Sequence, residues 1–186
     1  MRMFIGSPVR MIPEIEPIMA IISNIQNLRA VGLNNFHLTY LFLGEINPKE
    51  MDHVVMELNK ISCKKLSAKV SGIRALPNIY HPRVIVLSLE CPYLDQLYNR
   101  ISLLLPEYAN GEKKFLPHIT IARVRNGTAI PDISRLPIVE GMLQINELCL
   151  FQSILTPEGA IYERIWCGQL PPAHAGGMSR EGQRKS

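Results

Sequence analysis

Between residues 11 and 28 apolar side chains recur every three to four positions, at Ile15, Ile18, Met19, Ile22 and Ile25, the spacing of one helical face. The same period returns after Asn47-Pro48, at Met51, Val54, Val55, Leu58 and Ile61, and over residues 92–105, at Leu94, Leu97, Ile101 and Leu104. Asn47 suits an N-cap, and Pro48 the first helical position, where no N–H is needed. Elsewhere apolar residues alternate or run together, and β-branched and aromatic types dominate. Residues 2–7, 36–43, 65–76, 83–89, 118–124, 142–155 and 160–168 therefore read as strands. Pro157 and Gly159 suit a hairpin turn between the last two. Several strands are joined too briefly for parallel crossovers, which take about a dozen residues. The expected class is α+β with mainly antiparallel sheets.

Composition narrows the function classes. A chain of 186 residues with 47% hydrophobic and 19% charged residues buries a substantial core. No apolar run is long enough to span a bilayer, and the opening "MRMFIGSPVRM" reads as a first strand rather than a signal peptide. A cytoplasmic protein is expected. The four cysteines are scattered without a C-x-x-C pair, which argues against zinc and for buried free thiols. Of the net charge of +4, residues 171–186 carry half: Arg180, Arg184 and Lys185 against Glu181. The mildly basic remainder permits an anionic ligand without demanding a polynucleotide. Residues 1–170 are expected to form one domain, and residues 171–186, which lack apolar periodicity, a disordered tail. Neither G-x-G-x-x-G nor G-x-x-x-x-G-K-[ST] occurs, so no phosphate loop is predicted.

One phrase is written twice: "NNFHLTYLFLG" at 34–44 and "FLPHITIARVR" at 115–125. With five histidines and four threonines in the chain, random placement gives about 0.1 His-x-Thr matches, and two occur. On a strand, His37 and Thr39 share one face while Phe36, Leu38 and Tyr40 take the other; His118 and Thr120 do likewise against Ile119 and Ile121. Two lobes, each offering an imidazole beside a hydroxyl, would face each other across a cleft. Such a pair suits cleavage of a phosphate ester. One histidine takes a proton from the nucleophile and the other protonates the leaving oxygen. The threonines donate hydrogen bonds to the phosphate oxygens, and an arginine strengthens the clamp. The scheme asks for no metal and no cofactor.

The segments "HLTY" and "HITI" resemble the H-x-T-x signature of the 2H phosphoesterases. Together with "MRMFIG", "NFHLTYLFLGEI", "FLPHITIARVR" and "LFQSILTPEGAIYERI", they look like the RNA 2′,3′-cyclic phosphodiesterases, once described as 2′-5′ RNA ligases. The resemblance runs from residue 1 to about 168. It implies a bilobal α+β fold, with two pseudo-symmetric sheets, helices outside and a central cleft. It also implies opening of an RNA 2′,3′-cyclic phosphate, or a cyclic nucleotide, to a 2′-phosphate. His37 and His118 carry over as catalytic groups, and Thr39, Thr120 and Arg123 as phosphate-binding groups. His118 is read as the base and His37 as the acid. Strict alternation would place Arg123 opposite His118, so a bulge or a strand end must turn it inward. Where relatives often carry lysine, this chain has Leu41, expected to lower the charge at the cleft edge.

Alternatives using the same site are a 2′-5′ RNA ligase or 2′,5′-phosphodiesterase; a non-catalytic RNA-end-binding module is another class. Simple phosphate binding would favour Arg and Lys over two imidazoles. A monomer with no membrane contact is expected. Tyr40 belongs to the core by strand phase, His53 and His81 to solvated surface, and His174 to the tail. Arg125 reads as a solvated strand end. Lys113 and Lys114 either steer RNA or form a plain surface pair.

Overall fold

Prolines, more than apolar period, decide where the helices begin. The computed structural model describes residues 1–109, 114–125, 133, 136–157 and 159–172. Helix α1 spans Glu16–Ser23 behind a 3-10 turn at Pro13–Ile15, so the helix expected over residues 11–28 is much shorter. Pro17 donates no N–H and is tolerated in a first turn, which fixes the start; Ile18, Met19 and Ile22 still face the core. Helix α2 (Pro48–Leu58) starts where expected. Asn47 accepts from the N–H groups of Lys49 and Glu50, and the Glu50 carboxylate accepts from the Asn47 N–H. Helix α3 (Pro92–Leu104) buries Leu94, Leu97 and Ile101, and a short α4 (Pro106–Ala109) follows.

The strands are β1 (Arg2–Pro8), β2 (Leu28–Ala30), β3 (His37–Glu45), β4 (Leu66–Leu76), β5 (Val84–Glu90), β6 (His118–Val124), β7 (Gly141–Ile145), β8 (Glu147–Thr156) and β9 (Gly159–Gln169). Their order is β7-β4-β5-β6-β3-β1-β8-β9, and β2 pairs with β6. All the pairings are antiparallel. The two expected sheets are thus halves of one sheet, joined between β3 and β6 by the single pair Leu38↔Ile119. Beyond that pair the edge of β6 passes to β2, through Leu28↔Val124, Arg29↔Arg123 and Ala30↔Ala122.

The strand expected over residues 142–155 is broken at Asn146. Its first part pairs with β4 and its second with β1 and β9, at opposite ends of the strand order. One intervening residue can bridge those ends only if the sheet curls back on itself. The Asn146 carbonyl accepts from the Leu170 N–H at 2.8 Å, which anchors the crossing.

The cysteine expectation needs correction. Cys149 and Cys167 form a disulfide, and only Cys63 and Cys91 are free. The two bonded residues are direct partners in the β8–β9 ladder, with Cα atoms 4.1 Å apart. Among the described residues no helix is long and apolar enough to cross a membrane. Residues 173–186, which hold His174 and nearly all of the expected tail, lie outside the described residues, as does Lys113.

Candidate active site

The two phrases fold the same way. From His37 to Phe42 and from His118 to Arg123, the residues run partly buried, buried, partly buried, buried, buried, exposed. Each strand owes this to a bulge three residues after its histidine. The β1–β3 register passes from Ile5↔Leu41 to Gly6↔Thr39, leaving Tyr40 as the extra residue. The β5–β6 register passes from Ile85↔Ala122 to Val86↔Thr120, leaving Ile121. An extra residue reverses the alternation beyond it, so Arg123 returns to the face of His118 and Thr120, and of the two expected devices it is the bulge that turns it. Its counterpart in β3 is Phe42, an aromatic ring 61% exposed. Leu41 falls on the other side of its bulge and is fully buried in the core. It therefore does not border the cleft, and the expectation of altered charge there is withdrawn.

Leu38 and Ile119 face each other and are fully buried. The residues flanking them, His37, Thr39, His118 and Thr120, consequently share the opposite face. Because the strands are antiparallel, the register sets His37 beside Thr120 and Thr39 beside His118. Each imidazole thus neighbours the hydroxyl of the other phrase.

Both rings are held alike. His37 Nδ1 bonds the Asn35 carbonyl and His118 Nδ1 bonds the Leu116 carbonyl, each at 2.6 Å. A carbonyl only accepts, so Nδ1 carries the proton in both rings, and the neutral imidazole presents its lone pair at Nε2. Their surroundings differ. The His37 ring lies 4.9 Å from that of Phe4, 6.0 Å from Phe151 and 4.6 Å, edge-on, from Tyr162. Among the described residues no aromatic ring packs on His118. Loss of water around His37 lowers its pKa from 6.5 to about 4, and the charges of Arg123 and His118 push the same way, against the bond to Asn35. His37 is therefore neutral at pH 7. Arg123 donates from Nη2 to the Tyr162 hydroxyl at 3.2 Å, so one tyrosine touches both a histidine and the arginine.

A family model described as "LigT like Phosphoesterase" matches residues 9–86, which include the first phrase. The chain is 31% identical over 172 residues to an RNA 2′,3′-cyclic phosphodiesterase of Archaeoglobus fulgidus, covering 89% of this chain and 98% of the relative. The chain belongs to the LigT-like phosphoesterase family. Another relative, an RNA 2′,3′-cyclic phosphodiesterase of Thermotoga maritima, is 30% identical over 149 residues, 73% of this chain and 76% of that one. The fold matches a solved structure from Thermus thermophilus, the protein TT0787, with a TM-score of 0.74 at 24% identity, covering 94% of this chain and 100% of that one. It also matches E. coli LigT complexed with 3′-AMP, with a TM-score of 0.70 at 21% identity and coverage of 91% and 97%.

Within this LigT-like phosphoesterase, all five residues singled out from sequence lie on the two phrase strands and on one face. Sequence reasoning missed Tyr162 and Phe42. Tyr162 lay inside the quoted segment "GAIYERI", but nothing in a strand pattern says that β9 reaches the β3–β6 seam. Phe42 was legible only by giving β3 the bulge already required of β6. Ser88, paired with His118 across β5, has a buried hydroxyl without a partner among the described residues. Tyr40 is in the core as expected, bonded to Ser7 Oγ at 3.0 Å. His81 is exposed, and His53 sits on the surface 3.5 Å from Glu107. Among the described residues one group, Glu147 with Cys149 and Cys167, has the compactness of a metal site, but its sulfurs are spent in the disulfide.

Proposed function

We propose that this chain hydrolyses RNA 2′,3′-cyclic phosphates to 2′-phosphates by acid–base catalysis with its two histidines. The observation that carries the reading is the matched pair of imidazoles, each fixed through Nδ1 to the carbonyl two residues before it, with both Nε2 atoms left for chemistry on one face. The names of the relatives support the substrate class.

In the reaction, water attacks phosphorus, the bond from phosphorus to the 3′ oxygen breaks, and the 2′ bond is kept. A base removes the water proton as the new P–O bond forms, and an acid delivers a proton to the departing 3′ oxygen. The low pKa of His37 favours it as the base and His118 as the acid, the reverse of the order read from sequence. At pH 7 a ring with a pKa of about 4 already has the lone pair that a base needs. Keeping a proton on it as an acid would cost about 4 kcal/mol in the free site. Thr39 and Thr120 donate to the non-bridging oxygens, and Arg123 balances the charge that accumulates on them. Phe42, exposed on the same face, offers a flat apolar surface for a base.

The test is incubation with an RNA ending in a 2′,3′-cyclic phosphate, with EDTA present, and identification of the product isomer. A 2′-phosphate is expected, with kcat lowered roughly 10²- to 10⁴-fold in both H37Q and H118Q. A 3′-phosphate product, or near-wild-type turnover by both variants, overturns the proposal. The acid limb of kcat/KM should fall near pH 4; a limb well above that would refute His37 as the base.

A further inference from the structure

A second basic group stands next to the site and has no part in the chemistry just described. Arg29 lies directly opposite Arg123 in the β2–β6 pairing, so both side chains leave the same face. Like charges facing each other across a ladder destabilise it. Among the described residues neither guanidinium has a carboxylate within ion-pair distance. Both are instead laid on β9. Arg123 bonds the Tyr162 hydroxyl, and the Arg29 guanidinium lies over Gly159, its atoms 3.4–3.5 Å from where a Cβ would stand. A Cβ there would meet the guanidinium in ordinary van der Waals contact, so the arginine lies directly against the strand.

Between these groups is a cavity of about 90 Å³, lined by Arg29, Gly32, Asn35, Arg123, Gly159 and Tyr162 among others. On the measure by which one enclosed water takes about 10–15 Å³, that is room for several waters, enough for one phosphate group. Three of its lining residues also serve the histidine site. Asn35 holds His37 by its carbonyl, Tyr162 packs on the His37 ring, and the charge of Arg123 acts on His37. Along β6, Arg123 is four residues from Ile119 at the seam, at most about 13 Å of strand, and two long guanidinium side chains shorten the gap. The hollow therefore adjoins the reactive phosphate without coinciding with it.

We infer that Arg29 is the centre of a second anion subsite, in the hollow beside Arg123, which takes the 5′-phosphate of the nucleotide whose 2′,3′-cyclic phosphate is opened, while Arg123 stands between the two phosphates. This rests on the proposed cyclic phosphodiesterase reading, because the 5′-phosphate is the only other phosphate on that terminal nucleotide. An RNA chain always supplies it, as the diester to the preceding residue, whereas a nucleoside 2′,3′-cyclic phosphate has a hydroxyl there. The subsite thus selects RNA ends over cyclic mononucleotides. Arginine suits the task, since its fork takes phosphate oxygens two at a time.

Two measurements test this. First, kcat/KM is compared for adenosine 2′,3′-cyclic phosphate and its 5′-phosphorylated form, with wild type, R29A and R29K. A charge-assisted contact predicts a preference of about 10- to 100-fold for the 5′-phosphorylated substrate. In R29A that ratio should collapse to about 2, with R29K between; a thermal melt confirms that the variants fold. Second, equilibrium binding of adenosine 3′,5′-bisphosphate is compared with that of adenosine 3′-phosphate, which needs no turnover. Wild type should favour the bisphosphate, with the advantage lost in R29A. No preference in wild type, or an equal ratio in R29A, overturns the subsite. Absence of turnover on every cyclic substrate, with the binding preference intact, would defeat the proposed activity and leave the subsite standing.

Discussion

Lowering the pH should destabilise this protein through one side chain. His37 has a pKa of about 4 in the folded chain, against 6.5 in the unfolded one, because Phe4, Phe151 and Tyr162 keep water from its ring. Above pH 6.5 the ring is neutral in both states and its burial carries no protonation penalty. Below 6.5 the unfolded chain takes up a proton that the folded chain refuses, so stability falls with pH until the folded ring protonates near 4. At 1.36 kcal/mol per unit, the whole gap amounts to about 3.4 kcal/mol, of which about 2 kcal/mol is lost by pH 5. Glutamine has similar bulk and polarity but does not titrate, so H37Q is the reference. Urea unfolding of both proteins from pH 8 to pH 4 gives the difference, in which the carboxylates common to both largely cancel. Wild type should lose about 2.6 kcal/mol relative to H37Q between pH 6.5 and 4, with only about 0.4 kcal/mol changing between pH 8 and 6.5. A difference that stays flat across this window refutes the reasoning, as would a His37 ring titrating near 6.5 by NMR.

Two further outcomes follow from the same neighbourhood. Tyr162→Phe keeps the ring against His37 but removes the hydroxyl that receives Arg123 at 3.2 Å; kcat/KM on a cyclic phosphate should drop about 5- to 10-fold, for about 1 kcal/mol, with the acid limb of its pH profile unmoved. Gly6→Ala would place a Cβ 2.5 Å from the Leu38 carbonyl oxygen; the strand cannot yield without disturbing the seam to Ile119, so a loss of about 1–3 kcal/mol is expected in urea unfolding.

Much of this arrangement is legible in the sequence, and the reason is specific. A strand's period of two tells which side chains share a face, so the four residues of the two phrases were assignable from spacing alone. Bulges mark where that reading ends. Arg123 could be rescued because its place demanded one, but the matching bulge at Tyr40 was not inferred, and Leu41 was put at the cleft when it belongs to the core. The disulfide escaped for the same reason. Unbroken pairing from Thr156↔Gly159 would set Cys149 against Trp166, and the irregularity between Leu150 and Phe151 moves the partner on to Cys167. Partners drawn from distant strands were invisible altogether: Arg29 and Tyr162 come to the site because the sheet curls, which no local pattern records.

The proposed acid–base chemistry would need an asymmetry that two near-identical phrases do not themselves supply. Equal strands, equal bulges and equal Nδ1 anchors would give two histidines of equal pKa, and such a pair would hold two protons or none over most of the pH range. Acid–base cleavage calls for one of each at the same pH. Here the lowering of the His37 pKa comes from outside the repeated strands. Phe4 on β1, Phe151 on β8 and Tyr162 on β9 enclose His37, and no aromatic ring among the described residues does so for His118. Those strands belong to the half of the sheet that contains the first phrase, so the asymmetry is built by its neighbours while the phrases themselves stay alike. On this view, the acid and base are distinguished less by their motifs than by which half of the curled sheet surrounds each ring.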